Sequence, residues 1–506
     1  MGVDGQIGVA VSGGGYRASA WGMGTLLYLV DTSLHEQVST VSSVSGGSIT
    51  NAVLAVDGYR RSSRGEVWET GARLAQRCSG NLVPFLLVLA VHLGSWSAVV
   101  VGAAMHRPGV AGVGLAIAVV ASVTLARVSG DATFRCPMVW LYLDLVAGVA
   151  GWMAFLVGAG RWWLLGLLTL STLLLFRGTV VGWAIDQSLL RVQNRRARLD
   201  DLNEDMDHVL CACDLHGRHH VYFGRDFVYS YRHGLGARGR LPLGAAVQAS
   251  ANLPGAFAPR MMRARPFGFV GGRDGAPVLA LTDGGVYDNM ADEWLTGYDK
   301  RVAAFAKRAE NLPEGAGKAA TVAMAARLRT RTSSFIVVAN ASGPLGAKFA
   351  WTTFVPLLGE MLALLRVKSI LYDNGNSIRR REMVEHFIAG RPRGVLVQID
   401  TDPWEIVTKA RKSDDGGKRQ RAEDVAAKLD ATPGLRKNET KVPVNAATVL
   451  YPLPAGRVGM LMQRSYALAM TIGHIHQELP LADPPGIEEF RAMENGVVPA
   501  GRREDP

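Results

Sequence analysis

The sequence predicts an α/β fold interrupted by a block of membrane-length helices. Glycine-rich turns follow apolar, strand-like runs at three places along the 506 residues. Further runs rich in β-branched and aromatic residues indicate additional strands, with helical stretches between them. A nearly continuous apolar block separates the first two turns from the third, and its length suits several bilayer crossings. These observations predict one α/β unit that carries a membrane insertion.

The first glycine-rich turn reads SGGGYR and follows the apolar run IGVAV. Gly13, Gly14 and Gly15 have no side chains, so their backbone N–H groups can converge on a developing negative charge. The helix expected after them adds its positive N-terminal end to the same place. A basic residue, Arg17, follows directly. The turn therefore predicts an oxyanion hole.

The second turn reads VSSVSGGSIT and the third reads LTDGGVYDN. In the second, Gly46 and Gly47 favour a sharp strand-to-helix turn that lifts Ser45 out of the chain with an exposed Oγ, as a nucleophile requires. In the third, Asp283 ends the strand-like run VLALT, and two glycines let the loop fold back toward the serine. Together the three turns supply the parts of a serine acyl hydrolase.

On these motifs the chain resembles the patatin-like phospholipase family. In that family a glycine-rich oxyanion loop with a basic residue after it, a nucleophile elbow and an Asp-Gly-Gly turn form a Ser-Asp dyad without a catalytic histidine. The resemblance implies that Ser45 is the nucleophile and Asp283 the general base. It implies that Gly13 to Gly15, with Arg17 beside them, form the oxyanion loop, and that the fold is a three-layer α/β/α hydrolase.

Other segments add to the resemblance, and two positions depart from it. The stretch QASANLPGAFAP at 248–259 is similar to the family's small-residue and proline segment before the catalytic Asp, and Asn289 fits a recurrent position after the Asp-Gly-Gly turn. Ser43 stands where the elbow usually has glycine, and Ala18 where the oxyanion motif often has another. Serine is small enough for the turn, and a helical position accepts alanine.

The apolar block interrupts the hydrolase between its nucleophile and its base. Each of its four segments is close to the ~20 residues needed to cross a bilayer core, whereas a run of buried core helices is the alternative. The predicted segments are 82–105, 109–126, 138–158 and 162–185. The predicted organisation is a first hydrolase part at 1–80, the insertion at 81–186 and the remaining hydrolase at 187–506.

An even number of crossings is required, because Ser45 and Asp283 must lie on one side of the membrane to meet. Arginines are concentrated before the first segment, between the second and third, and after the fourth. The positive-inside rule then predicts an integral inner-membrane protein with a cytoplasmic catalytic domain. Asp144 and Arg177 fall inside the third and fourth segments at similar depths, which suggests an ion pair, or else snorkelling of the arginine.

Charge and residue content narrow the classes of partner and cofactor that the sequence predicts. The net charge is +11, but the basic residues cluster beside the membrane segments and no nucleic-acid recognition motif is present, so anionic headgroups account for them better. The 4 cysteines and the HGRHH stretch at 216–220 lack the ligand spacing of a metal site. The sequence therefore predicts no cofactor, no metal and reduced thiols. The N-terminus shows no cleavable signal, so the first segment is expected to direct insertion.

Several further elements are predicted after the block. The runs RHHVYFG, DFVYSYR, VLALTD and SSFIVVAN indicate strands, and 292–308 and 458–479 indicate helices. The charged stretch 409–441 predicts a surface excursion or mobile loop. The run RRR at 379–381 begins a helix-like stretch and is expected to be solvated or to face lipid.

The expected activity is hydrolysis of phospholipid or lysophospholipid acyl esters by a membrane-anchored enzyme, through an acyl-enzyme intermediate. A lipase, a thioesterase or a transacylase would use the same residues. The alternative from another class is a catalytically silent protein whose patatin-like domain senses lipid while its helices act as a channel or receptor. A third is an enzyme that stays inactive until it is triggered. Protein partners are not predicted.

Overall fold

The computed structural model describes residues 5–79, 190–192, 195–254, 257–273, 275–343, 358–440 and 453–502, with isolated positions between 99 and 185. Most of these residues belong to one unit built around a mixed sheet. The strands are, in chain order, β1 Ile7–Val11, β2 Val38–Val44, β3 Arg191–Val192, β4 Arg195–Arg196, β5 Asp207–Asp214, β6 His219–Phe223, β7 Val228–Ser230, β8 Gly234–Gly236, β9 Arg260–Arg263, β10 Val270–Gly271, β11 Val278–Asp283, β12 Phe335–Asn340 and β13 Arg393–Gln398.

The sheet joins the chain before the apolar block to the chain after it. Its order is β10-β8-β7-β6-β5-β2-β1-β12-β13, with β11 beside β5 and β9 beside β11. The strands from β5 through β2, β1 and β12 to β13 are parallel, whereas the others are antiparallel. β3 and β4 form a separate hairpin. The two hydrolase parts therefore fold as a single sheet.

Helices cover both faces of this sheet. They are α1 Gly15–Asp31, α2 Gly46–Asp57, α3 Arg64–Cys78, α4 Leu243–Ser250, α5 Glu293–Thr296, α6 Tyr298–Glu310, α7 Ala316–Thr330, α8 Leu358–Ile388, α9 Pro403–Arg411, α10 Gly416–Ala431, α11 Arg457–Gln477 and α12 Ile487–Met493. Helices α1 to α4 and α9 to α12 share one apolar core, and α5 to α7 share the other with Met383 of α8.

Alternation along the strands divides the sheet between these two cores. Val9 and Val11 of β1 lie in the first core and Ala10 in the second, while Val337 and Val338 of β12 divide in the same way. Successive strand residues point to opposite faces, so apolar residues at every position mean that both faces are covered. The architecture is a three-layer α/β/α sandwich with a mixed sheet.

Most elements predicted after the block are present. The four predicted strands correspond to β6, β7, β11 and β12, and the helix expected at 458–479 is α11. The helix expected at 292–308 is split by Gly297 into α5 and α6. Of the two expectations for 409–441, a surface excursion or a mobile loop, the loop was wrong, because this stretch includes the end of α9 and all of α10. The buried side of α10, which includes Val425 and Leu429, packs in the first core. The helix was not predicted because the stretch contains few apolar residues.

Most of the apolar block lies outside the described residues, including Asp144 and Arg177. Among the residues that the structure does describe, no helix combines the length and apolar composition needed to cross a bilayer. Five large apolar side chains are nevertheless exposed between 110 and 120, namely Val110, Val113, Leu115, Ile117 and Val120. Val99 and Ala118, from the first and second predicted segments, share a small buried cluster.

The end of the fourth predicted segment belongs with the hydrolase. Ile185 packs in the first core, and Gly182 is buried. Apolar composition alone does not distinguish a residue that faces lipid from one that faces a protein core. The predicted C-terminal boundary of the fourth segment, at 185, was therefore too late in the chain.

Candidate active site

The ends of two strands meet on the same side of β5. β2 runs parallel to β5 and ends with Val44 opposite Cys211, whereas β11 runs antiparallel and ends with Asp283 opposite Ala212. The two strands therefore approach each other end to end along β5. The residues that leave the sheet there are Ser45 and Asp283, so the fold brings the predicted nucleophile and base to one place.

Ser45 occupies a strained turn between β2 and α2. Its φ of 54° and ψ of −123° are rare for a residue with a side chain. A Cβ at Gly46 would lie 1.9 Å from the Gly15 carbonyl oxygen, and one at Gly47 would lie 2.4 Å from that of Val11. The two glycines thus let α2 start against the backbone of the oxyanion loop. Ser45 itself is only 8% exposed, less than the sequence predicted.

Ser43 fills the place of the usual elbow glycine without strain. Its hydroxyl lies 3.1 Å from the Ser48 Oγ, donates to the Val209 carbonyl oxygen at 3.2 Å and accepts from the Asn51 Nδ2 at 2.8 Å. A buried hydroxyl is tolerated when it is hydrogen-bonded, and this one has partners from β5 and α2. The departure from the family pattern is therefore accommodated.

The oxyanion loop faces both Ser45 and the turn after β11. A Cβ at Gly13 would lie 3.2 Å from the Ser45 Cβ and 2.3 Å from the Asn289 Oδ1. The Gly13 N–H already donates to the Asn289 carbonyl oxygen at 2.9 Å, so its predicted role as an oxyanion donor is not supported. The N–H groups of Gly14 and Gly15 have no acceptor among the described residues and stand at the start of α1.

Arg17 lies beside the loop, as predicted. It is 8% exposed, and its guanidinium lies 3.5 Å from the position that a Cβ at Gly14 would take. Gly14 has a φ of 143°, which a residue with a side chain rarely adopts. The positive charge of Arg17 therefore packs under the loop, where it adds to the field of the α1 N-terminus.

Asp283 is held by its own turn and by a neighbouring segment. One carboxylate oxygen accepts from the Gly285 N–H at 2.8 Å, and the Asp283 N–H donates to the Asn252 carbonyl oxygen at 3.0 Å. A Cβ at Gly284 would lie 2.2 Å from the Cys211 carbonyl oxygen, so glycine is required for the turn to pass β5. Asp283 is 4% exposed.

The segment 248–259 holds the nucleophile and the base together, a role that its similarity to the family did not reveal. The Ser250 Oγ accepts from the Ser45 N–H at 3.0 Å and donates to the Cys211 carbonyl oxygen at 2.7 Å. Two residues later, Asn252 accepts from Asp283 and donates through its side chain to the Leu281 carbonyl oxygen at 3.0 Å. Small side chains let this segment lie between the two turns.

His220 from the HGRHH stretch lies behind the Asp283 turn. Its Nε2 lies 3.2 Å from the Gly284 carbonyl oxygen, and its Nδ1 lies 3.0 Å from the Tyr222 hydroxyl. Tyr222 in turn donates to the carboxylate of Glu293, which pairs with Arg301 at 3.1 Å. Sequence reasoning considered His220 only as a metal ligand. Alternation along β6 was the available signal, since it places His220 and Tyr222 on one face.

An ionic cluster follows the same turn. Arg379 of α8 lies 3.3 Å from carboxylate oxygens of both Asp288 and Asp292. Burial raises the pKa of Asp292, and the neighbouring Asp288 carboxylate raises it further, whereas the Arg379 guanidinium lowers it. The prediction that the 379–381 run is solvated or faces lipid was therefore wrong for its first residue. No spacing in the sequence links these positions.

The arrangement brings the Ser45 turn, the Asp283 turn and the oxyanion loop together at one end of the parallel strands. A carboxylate can accept the proton of a serine that attacks a carbonyl, and the N–H groups can stabilise the resulting oxyanion. Among the described residues no cluster of His, Cys, Asp and Glu could hold a metal ion. The hydroxyl, the carboxylate and the N–H donors together suit acyl transfer through a covalent serine ester.

Comparisons with known proteins bear on the family. No curated protein gave a significant sequence match. A solved structure that matches is VipD from Legionella pneumophila, at 10% identity, with 99% of this chain and 89% of that chain covered and a TM-score of 0.26, a value too low to inform the fold. The family model described as patatin-like phospholipase matches residues 9–291, more than half of the chain. The chain therefore belongs to the patatin-like phospholipase family, whose domains are typically lipid acyl hydrolases.

Proposed function

We propose that the protein hydrolyses acyl esters of phospholipids or lysophospholipids with a Ser45–Asp283 dyad. The observation that carries this proposal is the end-to-end approach of β2 and β11 along β5, which delivers Ser45 and Asp283 to one point of the sheet. The strained φ of 54° at Ser45 supports it, because such strain is characteristic of a nucleophile elbow.

In this mechanism Asp283 accepts the proton of Ser45 while the serine Oγ attacks the ester carbonyl carbon. The N–H groups of Gly14 and Gly15 donate to the oxyanion, with the N-terminus of α1 and Arg17 adding positive potential. Loss of one such donor typically costs ~3 kcal/mol of transition-state stabilisation. The alcohol leaves with a proton, and water activated by Asp283 then releases the fatty acid from the acyl-enzyme.

We also propose that the block around 82–185 anchors the enzyme in the inner membrane, with the hydrolase on the cytoplasmic side. Five exposed apolar side chains between 110 and 120 support this, because lipid is a favourable environment for them. The buried contact of Val99 with Ala118 supports a hairpin between the first two segments. Such an anchor would keep the site at the headgroup level, where acyl esters are concentrated.

Labelling of the detergent-solubilised protein with a fluorophosphonate probe tests the dyad. We expect the wild type to be labelled, Ser45→Ala to be unlabelled and Asp283→Asn to be labelled at least ~100-fold more slowly. Ser42→Ala is a matched control, because the hydroxyl of this buried serine on β2 makes a single contact among the described residues, at 3.6 Å to the Cys211 sulfur. Asp299→Asn serves as the control for the loss of a surface carboxylate.

Release of fatty acid from mixed phospholipid vesicles then tests the substrate. Undiminished labelling of Ser45→Ala would assign the nucleophile elsewhere, and labelling without fatty-acid release would exclude the lipid esters tested. A folded wild type that neither reacts nor hydrolyses would favour the lipid-sensing alternative. Glycosylation mapping of the loop near Arg107 tests the orientation, because modification there, on the opposite side from the hydrolase, is expected.

A further inference from the structure

Gly182 packs directly against α4. A Cβ at this position would lie 3.0 Å from the Gln248 Cβ and 3.2 Å from the Gly244 carbonyl oxygen. Gly182 is buried, and Ile185 three residues later packs in the first core. The end of the predicted fourth segment is therefore packed closely on α4. A methyl group at Gly182 fits only if its neighbours shift by a few tenths of an ångström, and one of them is the Gly244 backbone, which moves with the helix.

Gln248 connects this contact to the base. It is 3% exposed, its Nε2 donates to the Asn252 Oδ1 at 2.8 Å and its Oε1 accepts from Arg260 at 2.6 Å. Asn252 in turn accepts the Asp283 N–H. Two residues, Gln248 and Asn252, thus connect Gly182 of the insertion to the backbone N–H of Asp283.

The same helix connects the contact to the nucleophile. α4 ends at Ser250, whose Oγ accepts the Ser45 N–H at 3.0 Å and lies 2.8 Å from the Ser48 Oγ. A displacement of α4 would therefore move the supports of both turns at once. Packed interiors transmit such displacements because they have little free volume.

We propose that Gln248 is a positioning residue through which the packing of Gly182 sets the geometry of Ser45 and Asp283. The inserted segment thereby adjusts the activity of the hydrolase, and it does so through α4. This inference rests on the proposed function for its catalytic consequence, although the mechanical link is defined by contacts alone. Misplacement of reacting groups by a fraction of an ångström to 1 Å lowers the rate by up to ~100-fold without removing a catalytic group.

The test uses the full chain in lipid nanodiscs with Gly182→Ala, and Gly112→Ala as the matched control. Both glycines lie in predicted membrane segments, but no atom of the described residues lies within 4 Å of a Cβ at Gly112. We expect Gly182→Ala to lower kcat for a short-chain soluble ester, and the fluorophosphonate labelling rate, by about five- to tenfold with KM unchanged. Gly112→Ala should match the wild type.

A double-variant cycle with Gln248→Gly separates positioning from general loss of stability. This substitution removes the Gln248 atoms nearest the new Cβ and the hydrogen bond to Asn252, while the Gly244 carbonyl contact remains. The effect that passes through Gln248 is then absent, so Gly182→Ala should have at most about a twofold further effect in that background. Equal effects of Gly182→Ala with and without Gln248 would contradict the proposal, as would a labelling rate unchanged by Gly182→Ala.

Hydrogen exchange distinguishes failure of this inference from failure of the proposed function. Peptides that contain Ser45 and Asp283 should exchange faster in Gly182→Ala than in Gly112→Ala, whether or not the protein reacts with the probe. Faster exchange in a protein that does not react with the probe would contradict the proposed activity but support the mechanical link through α4. Unchanged exchange in both peptides would overturn the link.

Discussion

The Ser45 turn and the Asp283 turn are held in different ways. The first is shaped chiefly by close backbone packing, since Gly46 and Gly47 lie against carbonyl groups of Gly15 and Val11, with the bond from the Ser45 N–H to Ser250 added to it. The second depends more on polar contacts, which include the backbone and side-chain hydrogen bonds of Asn252 and the ion pairs of Arg379. The nucleophile is therefore positioned by close packing, whereas the base is positioned by hydrogen bonds and ion pairs.

The largest effect is expected when a side chain is forced into the Ser45 turn. Gly46→Ala places a Cβ 1.9 Å from the Gly15 carbonyl oxygen, so α1 and α2 must separate at the oxyanion loop. We expect loss of at least ~100-fold in the labelling rate and a destabilisation of about 3 kcal/mol, measured by denaturant unfolding. Near-normal labelling would mean that close packing does not position the nucleophile.

A smaller effect is expected when a support of the Asp283 turn is removed. Asn252→Ala leaves the carbonyl oxygens of Leu281 and Ala258 without their side-chain donor, but it retains the backbone bond to Asp283. We expect a destabilisation of about 2 kcal/mol and a fall in kcat of about tenfold. If stability falls and kcat does not, the segment supports the fold without positioning the base.

The ionic cluster behind the same turn should show itself in the pH dependence of stability. Arg379→Met removes the charge that lowers the pKa of Asp292 beside Asp288. A buried acid with a raised pKa favours its protonated form, so its contribution to stability is present at low pH and is lost as the pH rises. We expect a loss of about 2 kcal/mol at neutral pH, since Arg379 is partly exposed.

Thermal unfolding from about pH 7 to pH 9 measures this effect, because burial raises the pKa of Asp292 to about 8. The Tm of the wild type should level off above that pKa, whereas the Tm of Arg379→Met should continue to fall, because loss of the guanidinium raises the pKa further. The double variant Arg379→Met with Asp292→Asn should recover a flatter profile, because the titrating carboxyl is then absent. Parallel profiles for all three proteins would exclude the cluster as the source.

The smallest effect is expected at Ser43. Ser43→Gly restores the usual elbow residue and removes the hydroxyl. The Asn51 Nδ2 still donates hydrogen bonds to the carbonyl oxygens of Val41 and Val209. We expect a destabilisation of about 1 kcal/mol and a labelling rate within threefold of the wild type. A large loss of labelling would show that side-chain hydrogen bonds also position the nucleophile.

The Ser45 turn was easier to predict from the sequence than the contacts around the Asp283 turn. Ser45, Gly46 and Gly47 form a local motif whose conformation depends on neighbouring residues, and the sharp turn was predicted from it. Arg379 was assigned to a solvated or lipid-facing surface, because its ion pairs with Asp288 and Asp292 join residues that are 91 and 87 positions apart. His220 was considered only as a ligand, since its bond to the Gly284 carbonyl depends on how β6 and β11 flank β5.

By itself the sequence determined the α/β class, the strand-to-helix turns and their glycines, because these depend on backbone geometry within a few residues. Tertiary structure alone decided that the Gly13 N–H is occupied by Asn289, that 409–441 contains packed helices, and that α4 lies between Gly182 and the two turns. Each of these depends on which surfaces meet when the chain folds. Pairwise contacts between residues far apart in sequence leave no periodic pattern along the chain.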